Sequence, residues 1–119
     1  MKTNNSFLLK TNIRDGVIVY DGFDIDENIP LEQQVSSLRE DMLQIKFGER
    51  FVLDVGWRPD FEPDGYFSVY AIQDKDWEAP LIKKKCYSLK TLKKAIEKCA
   101  EIIDEQMHIK DLPFRNVEY

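Results

Sequence analysis

The fold is decided by residues 51–73, FVLDVGWRPDFEPDGYFSVYAIQ. Apolar residues occupy every second position in its first and last parts, and such alternation predicts strands with one buried face. The alternating residues are Phe51, Leu53, Val55, Trp57, Phe67, Val69 and Ala71. Residues 58–65 between them contain two prolines and an Asp-Gly pair, which predict a turn. The short connection favours antiparallel strands, because a parallel pair needs a crossover of about a dozen residues or more.

Three further strands are predicted around this pair. Residues 74–80 interrupt the pattern, and residues 81–87 give another strand after the break. Towards the N-terminus, residues 7–13 and 17–23 are predicted to form a hairpin around Asp15-Gly16. The sheet is therefore expected to contain about five strands.

Two segments have the helical period, residues 31–47 and 89–107. In the first segment, the apolar residues are spaced by three and four; they are Leu31, Val35, Leu38, Met42 and Ile45. Gly48 is expected to end this helix in a left-handed conformation. The second begins after Ser88, a suitable N-cap, and its apolar residues are Leu89, Leu92, Ile96, Cys99, Ala100, Ile103 and Met107.

These elements predict an α+β fold with the order ββαβββα. An antiparallel sheet with both helices on one face would bury both apolar stripes at once. With 119 residues, 14.0 kDa and 43% hydrophobic residues, the chain is expected to form a single domain over residues 1–119, ending in a loose tail over residues 109–119.

Composition also limits the classes of protein. No stretch approaches the roughly 18 consecutive apolar residues of a membrane span, and the N-terminal residues show no signal-peptide core. The two cysteines, Cys86 and Cys99, are too few for a disulfide framework and lack metal-ligand spacing. The sequence therefore predicts a cytoplasmic protein with reduced thiols and without a membrane partner.

Charge is unevenly distributed along a chain with a formal net charge of −5. Residues 15–38 contain six acidic residues and no lysine or arginine. Two shorter acidic groups lie within residues 54–64 and 74–78. Most of the lysines follow in residues 83–98. The acidic groups indicate either ordinary solvated loops or a docking face for a cationic protein, and the sequence leaves both interpretations open.

The candidate binding residues lie in these acidic groups. They are Asp21, Asp24, Asp26, Asp60, Glu62, Asp64, Asp76, Trp77 and Glu78. A tryptophan beside acidic residues can anchor an interface. Trp77 fits that role or a place at the rim of the sheet, whereas Trp57 continues the apolar alternation and is predicted to lie in the core.

Other kinds of site are less well supported. Residues 60–65 resemble the start of a calcium loop, but the twelfth position is Ala71, where a glutamate is required. The usual nucleophile, phosphate-loop and metalloprotease motifs are absent, so no enzyme, metal or cofactor is predicted. Protection of a sheet edge explains Lys83, Lys84 and Lys85 as well as nucleic-acid binding does, and no nucleic-acid partner is expected.

The middle of the chain resembles the small bacterial immunity proteins of polymorphic toxin systems, including contact-dependent growth inhibition. The resemblance lies in residues 54–60 (DVGWRPD), 64–69 (DGYFSV) and 76–81 (DWEAPL), within a region spanning about residues 31–103. It implies a small, acidic, cytosolic protein that binds and blocks a toxin domain, often a basic nuclease. No binding residue is transferred from the resemblance.

The leading hypothesis is therefore a nonenzymatic immunity protein, a monomer or homodimer, that binds a cognate toxin domain through its acidic loops. The alternatives are an adaptor or homodimer that uses an open sheet edge, and a small hydrolase that uses acidic residues.

Overall fold

The computed structural model describes residues 6–111. In chain order the elements are α1 (Ser6–Leu9), β1 (Val17–Asp21), two short 3-10 helices (Leu31–Gln33 and Val35–Ser37), β2 (Leu43–Phe47), β3 (Phe51–Arg58), β4 (Tyr66–Gln73), β5 (Ile82–Cys86) and α2 (Leu89–Asp111). The five strands form one antiparallel sheet in the order β1-β2-β3-β4-β5. The predicted α+β class and the number of strands are confirmed.

The hairpin of residues 51–73 forms the middle of the sheet as predicted. β3 pairs with β4 along its whole length, from Phe51 opposite Gln73 to Arg58 opposite Tyr66. On its other side β3 pairs with β2, where Leu43 lies opposite Val55. The alternating apolar residues, Trp57 among them, are buried on one face, which α2 covers above β3, β4 and β5. Alternation on a strand places these side chains on one side of the sheet.

The helix predicted over residues 31–47 is wrong. The structure has two short 3-10 helices at its start and strand β2 at its end. Leu43, Ile45 and Phe47 alternate with Gln44 and Lys46, so this part of the segment fits a strand as well as a helix. Pairing with β3 favours the strand, because it satisfies the backbone of both.

One long helix, rather than two, therefore covers the sheet. Instead of a second helix, α1 and the irregular segments on both sides of β1 pack against the core, and their buried residues include Phe7, Leu8, Phe23, Ile25, Leu38 and Met42. Gly48 does adopt a left-handed conformation, with φ of 61°, but it lies in the turn between β2 and β3 instead of ending a helix.

The predicted N-terminal hairpin of residues 7–23 is also wrong. Residues 6–9 form the short helix α1, and β1, the second strand of that hairpin, pairs with β2. Phe7 and Leu8 are both buried, a pattern that two adjacent residues of a half-exposed strand cannot show. The element order is therefore five strands followed by the long helix, with α1 at the start, instead of ββαβββα.

Helix α2 confirms the second predicted helix and continues further, to Asp111. Ser88 caps it, because the Ser88 Oγ accepts the Thr91 N–H at 3.1 Å. Within the predicted tail of residues 109–119, the first three residues belong to the helix. Residues 112–119 lie outside the described residues.

Gly56 makes room for the backbone of residues 39–42, which runs beside β3 just before β2 begins. The Trp57 N–H donates to the Arg39 carbonyl at 2.7 Å, and the Met42 N–H donates to the Val55 carbonyl at 3.1 Å. Glu40, which lies between these two contacts, places its carbonyl oxygen over Gly56. A Cβ atom on Gly56 would lie 1.8 Å from that oxygen. Any side chain here therefore requires a backbone shift.

Gly56→Ala should lower the free energy of unfolding by about 2–3 kcal/mol, since overpacking against backbone cannot be relieved by a rotamer change. Urea unfolding measures this loss. Gly22→Ala is the matched control, because the atoms nearest to its Cβ would belong to the flexible Tyr20 side chain, with the phenol oxygen 2.6 Å away. Equal losses in the two variants would contradict the steric role of Gly56.

Candidate functional site

Two loops meet at one end of the sheet. The first joins β1 to β2 (residues 22–42) and the second joins β3 to β4 (residues 59–65). The Phe61 N–H donates to the Leu38 carbonyl at 2.7 Å, and the Asp60 carboxylate accepts the Glu40 N–H. We call residues 21–42 and 58–65 the acidic end, because they contain ten carboxylates, seven and three, against two arginines.

The structure brings six of the nine candidate residues to the acidic end. They are Asp21, Asp24, Asp26, Asp60, Glu62 and Asp64. Glu40 and Asp41 lie there too and were missed by the sequence analysis, because the predicted helix of residues 31–47 absorbed them. Glu40 and Asp41 lie in the connection between the second 3-10 helix and β2. Their place in a loop becomes clear only when the segment is known to end in a strand.

The remaining three candidates lie at the opposite end of the sheet. Asp76, Trp77 and Glu78 are in the loop between β4 and β5, and eight residues of β4 separate this loop from the acidic end, roughly 25 Å along the strand. The nine residues therefore do not form one surface. Antiparallel strands place successive loops at alternate ends, which separates acidic groups that are close in sequence.

The carboxylates of the acidic end differ in their partners. The Asp21 and Asp26 side chains accept the N–H groups of Phe23 and Asn28, at 3.2 and 2.9 Å, and so hold their own loop. Within residues 6–111, the exposed Asp24, Glu62 and Asp64 carboxylates form no hydrogen bond or ion pair. Glu32 and Asp41 are likewise exposed and unpaired within this range, so five carboxylates of the acidic end are available to a partner.

The cations at the acidic end are few and partly engaged. Arg58 lies 3.4 Å from the Glu40 carboxylate, and Arg39 donates to the Gly22 carbonyl at 2.9 Å. From outside the acidic end, Lys10 pairs with Glu27 at 3.0 Å. Most of the negative charge is therefore uncompensated, which gives this end a negative field.

The opposite end is more nearly neutral. Arg50 binds the Asp74 carboxylate through two contacts of 2.9 Å, and Lys46 lies 3.4 Å from Glu49. Bidentate arginine–carboxylate pairs neutralise charge and fix its geometry. Asp76 and Glu78 are exposed there beside Lys75.

Aromatic residues mark both ends. Trp57 is 2% exposed, packs edge-on against Phe67 with ring centres 4.8 Å apart, and donates its indole N–H to the Glu62 carbonyl at 2.8 Å. Trp77 is 48% exposed. Phe61, which the sequence analysis overlooked, is 51% exposed in the acidic loop, with φ of 62°. An exposed aromatic between acidic residues is typical of an interface anchor.

One amide side chain makes three of the contacts that hold the long loop. The Gln34 Nε2 donates to the carbonyls of Asp26 and Ile29, at 2.9 and 2.8 Å, and its Oε1 accepts the Asp26 N–H at 3.0 Å. A side chain with three contacts to backbone fixes the shape of the loop that carries Asp24 and Asp26.

The sheet face opposite α2, which we call the open face, combines tyrosines with cations. Arg58 lies 5.5 Å from the Tyr70 ring centre, and the Lys85 Nζ lies 4.8 Å from the Tyr66 ring centre. Asp54 is only 5% exposed on this face, and Gln44 donates to its carboxylate at 3.0 Å. Burial raises the pKa of Asp54, the hydrogen bond from Gln44 lowers it, and the charge of Asp41 raises it.

Other chemistry finds little support in the described residues. No group of three or more histidine, cysteine or acidic side chains in residues 6–111 is placed to bind a metal ion. Within the same range, every helix is too short or too polar to cross a bilayer. Cys86 and Cys99 are buried, and burial raises the pKa of both thiols, that of Cys99 to about 11.

Asp54→Asn should raise the free energy of unfolding at pH 7, because folding removes the Asp54 charge from water. The pKa of Asp54 in the folded protein lies above its ordinary value, so the folded protein loses stability as the pH rises through that pKa. The gain should shrink on acidification to about pH 3, where the carboxyl is protonated in both states. Urea unfolding at both pH values tests this.

The control is Asp76→Asn in the exposed loop, which should change stability by less than about 0.5 kcal/mol at pH 7. An Asp54→Asn gain of the same size at both pH values would show that charge desolvation is not its cause.

The native protein should react slowly with Ellman's reagent, since thiolate is the reactive form and both thiols are buried. Both thiols should react rapidly after denaturation in guanidinium chloride. Absorbance at 412 nm follows the reaction. Rapid modification of one thiol in the native protein would contradict the core position of these residues.

No family model, no curated protein and no solved structure matches this chain. The resemblance to immunity proteins therefore rests on the sequence motifs quoted above.

Proposed function

We propose that this protein is an immunity protein that binds and neutralises a basic toxin domain through its acidic end. The observation that supports this most directly is the set of unpaired carboxylates of Asp24, Glu62 and Asp64 at the acidic end, where Phe61 is also exposed. Such a surface complements one rich in lysine and arginine. Of these three acidic residues, Asp64 lies within the motifs that resemble immunity proteins.

The acidic end is suited to binding because its backbone is held before a partner arrives. The Glu62 carbonyl is fixed by Trp57, the Phe61 N–H by Leu38, and the Asp60 carboxylate by the Glu40 N–H. A preorganised loop loses less conformational entropy on binding, so more of the interaction energy appears as affinity. Its like charges repel one another until cations of a partner reduce the repulsion.

The proposed mechanism is steric and electrostatic rather than catalytic, and we place it in the cytoplasm. A nuclease binds phosphate through lysine and arginine side chains. Carboxylates that pair with those side chains would block access of nucleic acid. Long-range attraction speeds the encounter, whereas Phe61 and its neighbours would slow dissociation through buried contacts.

The test is the triple charge reversal Asp24→Lys, Glu62→Lys and Asp64→Lys. The partner is the cognate toxin domain, expected at the C-terminus of a large secreted protein encoded directly upstream. Association measured by stopped-flow fluorescence at about 50 mM salt should slow by at least about tenfold, and the dependence of the rate on salt should weaken. Protection of cells that express the toxin domain should fall in parallel.

The matched control reverses charge at the opposite end, with Asp76→Lys and Glu78→Lys. This variant should associate at nearly the original rate. Equal slowing in the two variants would remove the acidic end from the mechanism, and full protection by the triple variant would refute the proposed mode of neutralisation.

A further inference from the structure

We propose that two copies of this chain dimerise, the acidic loop of each docking on a tyrosine–lysine patch of the other. The patch lies on the open face at the outer edge of the sheet and comprises Tyr66, Lys83, Lys85 and Tyr87. The acidic loop is residues 59–65. This inference does not rest on the proposed immunity function.

The patch carries positive charge that nothing in the described structure compensates. Within residues 6–111, Lys83 and Lys85 have no carboxylate within ion-pair distance, and both are exposed. The Lys85 Nζ stands over the Tyr66 ring, and the Tyr66 and Tyr87 rings lie 6.1 Å apart. Tyr87 is 68% exposed. Tyrosine beside cations is a composition enriched in protein interfaces.

The acidic loop has the complementary chemistry. Glu62 and Asp64 are exposed and unpaired within the described residues, and Phe61 offers an exposed aromatic ring between them and Asp60. In a monomer the unpaired lysines and carboxylates leave two surfaces of opposite charge. A second copy supplies the counter-charge for both.

The two surfaces are also adjacent, which suits a twofold dimer. The acidic loop ends at Gly65, and Tyr66 of the patch is the next residue along the chain. In a twofold dimer one composite surface meets itself, so the loop of each copy can contact the patch of the other. Two identical contacts then close the assembly without leaving a free surface for further growth.

Single-stranded nucleic acid fits the patch less well than a second copy does. Bases stack on free aromatic faces, but Lys85 stands over the Tyr66 ring and Arg58 over the Tyr70 ring. The neighbouring acidic loop would also repel phosphates. Carboxylates approach the same cations without needing a free ring face.

The test uses charge-swapped variants of the full chain. Sedimentation velocity at about 50 mM salt should show a dimer for the parent protein, and 500 mM salt should weaken it. Glu62→Lys with Asp64→Lys, and separately Lys83→Glu with Lys85→Glu, should each raise the dissociation constant at least about tenfold. An equimolar mixture should restore a heterodimer, since both of its contacts again join opposite charges.

The mixture makes the test independent of folding defects, because a misfolded variant cannot restore assembly. The control, Asp76→Lys with Glu78→Lys, should dimerise like the parent. A parent monomer at every concentration up to about 0.5 mM, reversal variants that dimerise normally, or a mixture that stays monomeric would each overturn the proposal. Toxin neutralisation is measured separately, so failure of dimerisation leaves the proposed function standing.

Discussion

Trp57 joins the core of this protein to the surface that we propose to be functional. Its ring is buried against Phe67, its indole N–H holds the Glu62 carbonyl, and its backbone N–H holds the Arg39 carbonyl. The two loops of the acidic end are therefore anchored to the same residue of β3. Packing of the sheet and the position of the exposed carboxylates depend on one another through this residue.

Charge segregation follows from topology rather than from composition. The chain is only moderately acidic, yet successive hairpin loops fall at alternate ends of an antiparallel sheet, and ten of the 22 acidic residues fall in the acidic end. At the other end, Arg50 neutralises Asp74. The lysines of β5 then lie along one edge, so a molecule with a net charge of −5 carries both a negative end and a positive patch.

The sequence correctly predicts those segments whose apolar residues follow the period of only one kind of secondary structure. The hairpin of residues 51–73 and helix α2 are correct, because their apolar patterns fit a single structure. Residues 31–47 satisfy the helical spacing through Leu38, Met42 and Ile45 but also alternate near their end, and only pairing with β3 decides between the two. For the site, the sequence identifies acidic loops but not the end of the sheet that each occupies, since that depends on the strand order.

Gln34 shows how this chain keeps a long connection in shape without a cross-link. The contacts of its amide lie within the segment from Asp26 to Gln34 and are made with backbone atoms. Hydrogen bonds from a neutral amide are not affected by thiol reductants, chelators or ionic strength. A disulfide is broken by reductants, a bound ion is removed by chelators, and an ion pair is weakened by salt. The conformation of residues 26–34 is thus insulated from the redox and ionic changes that a cell undergoes.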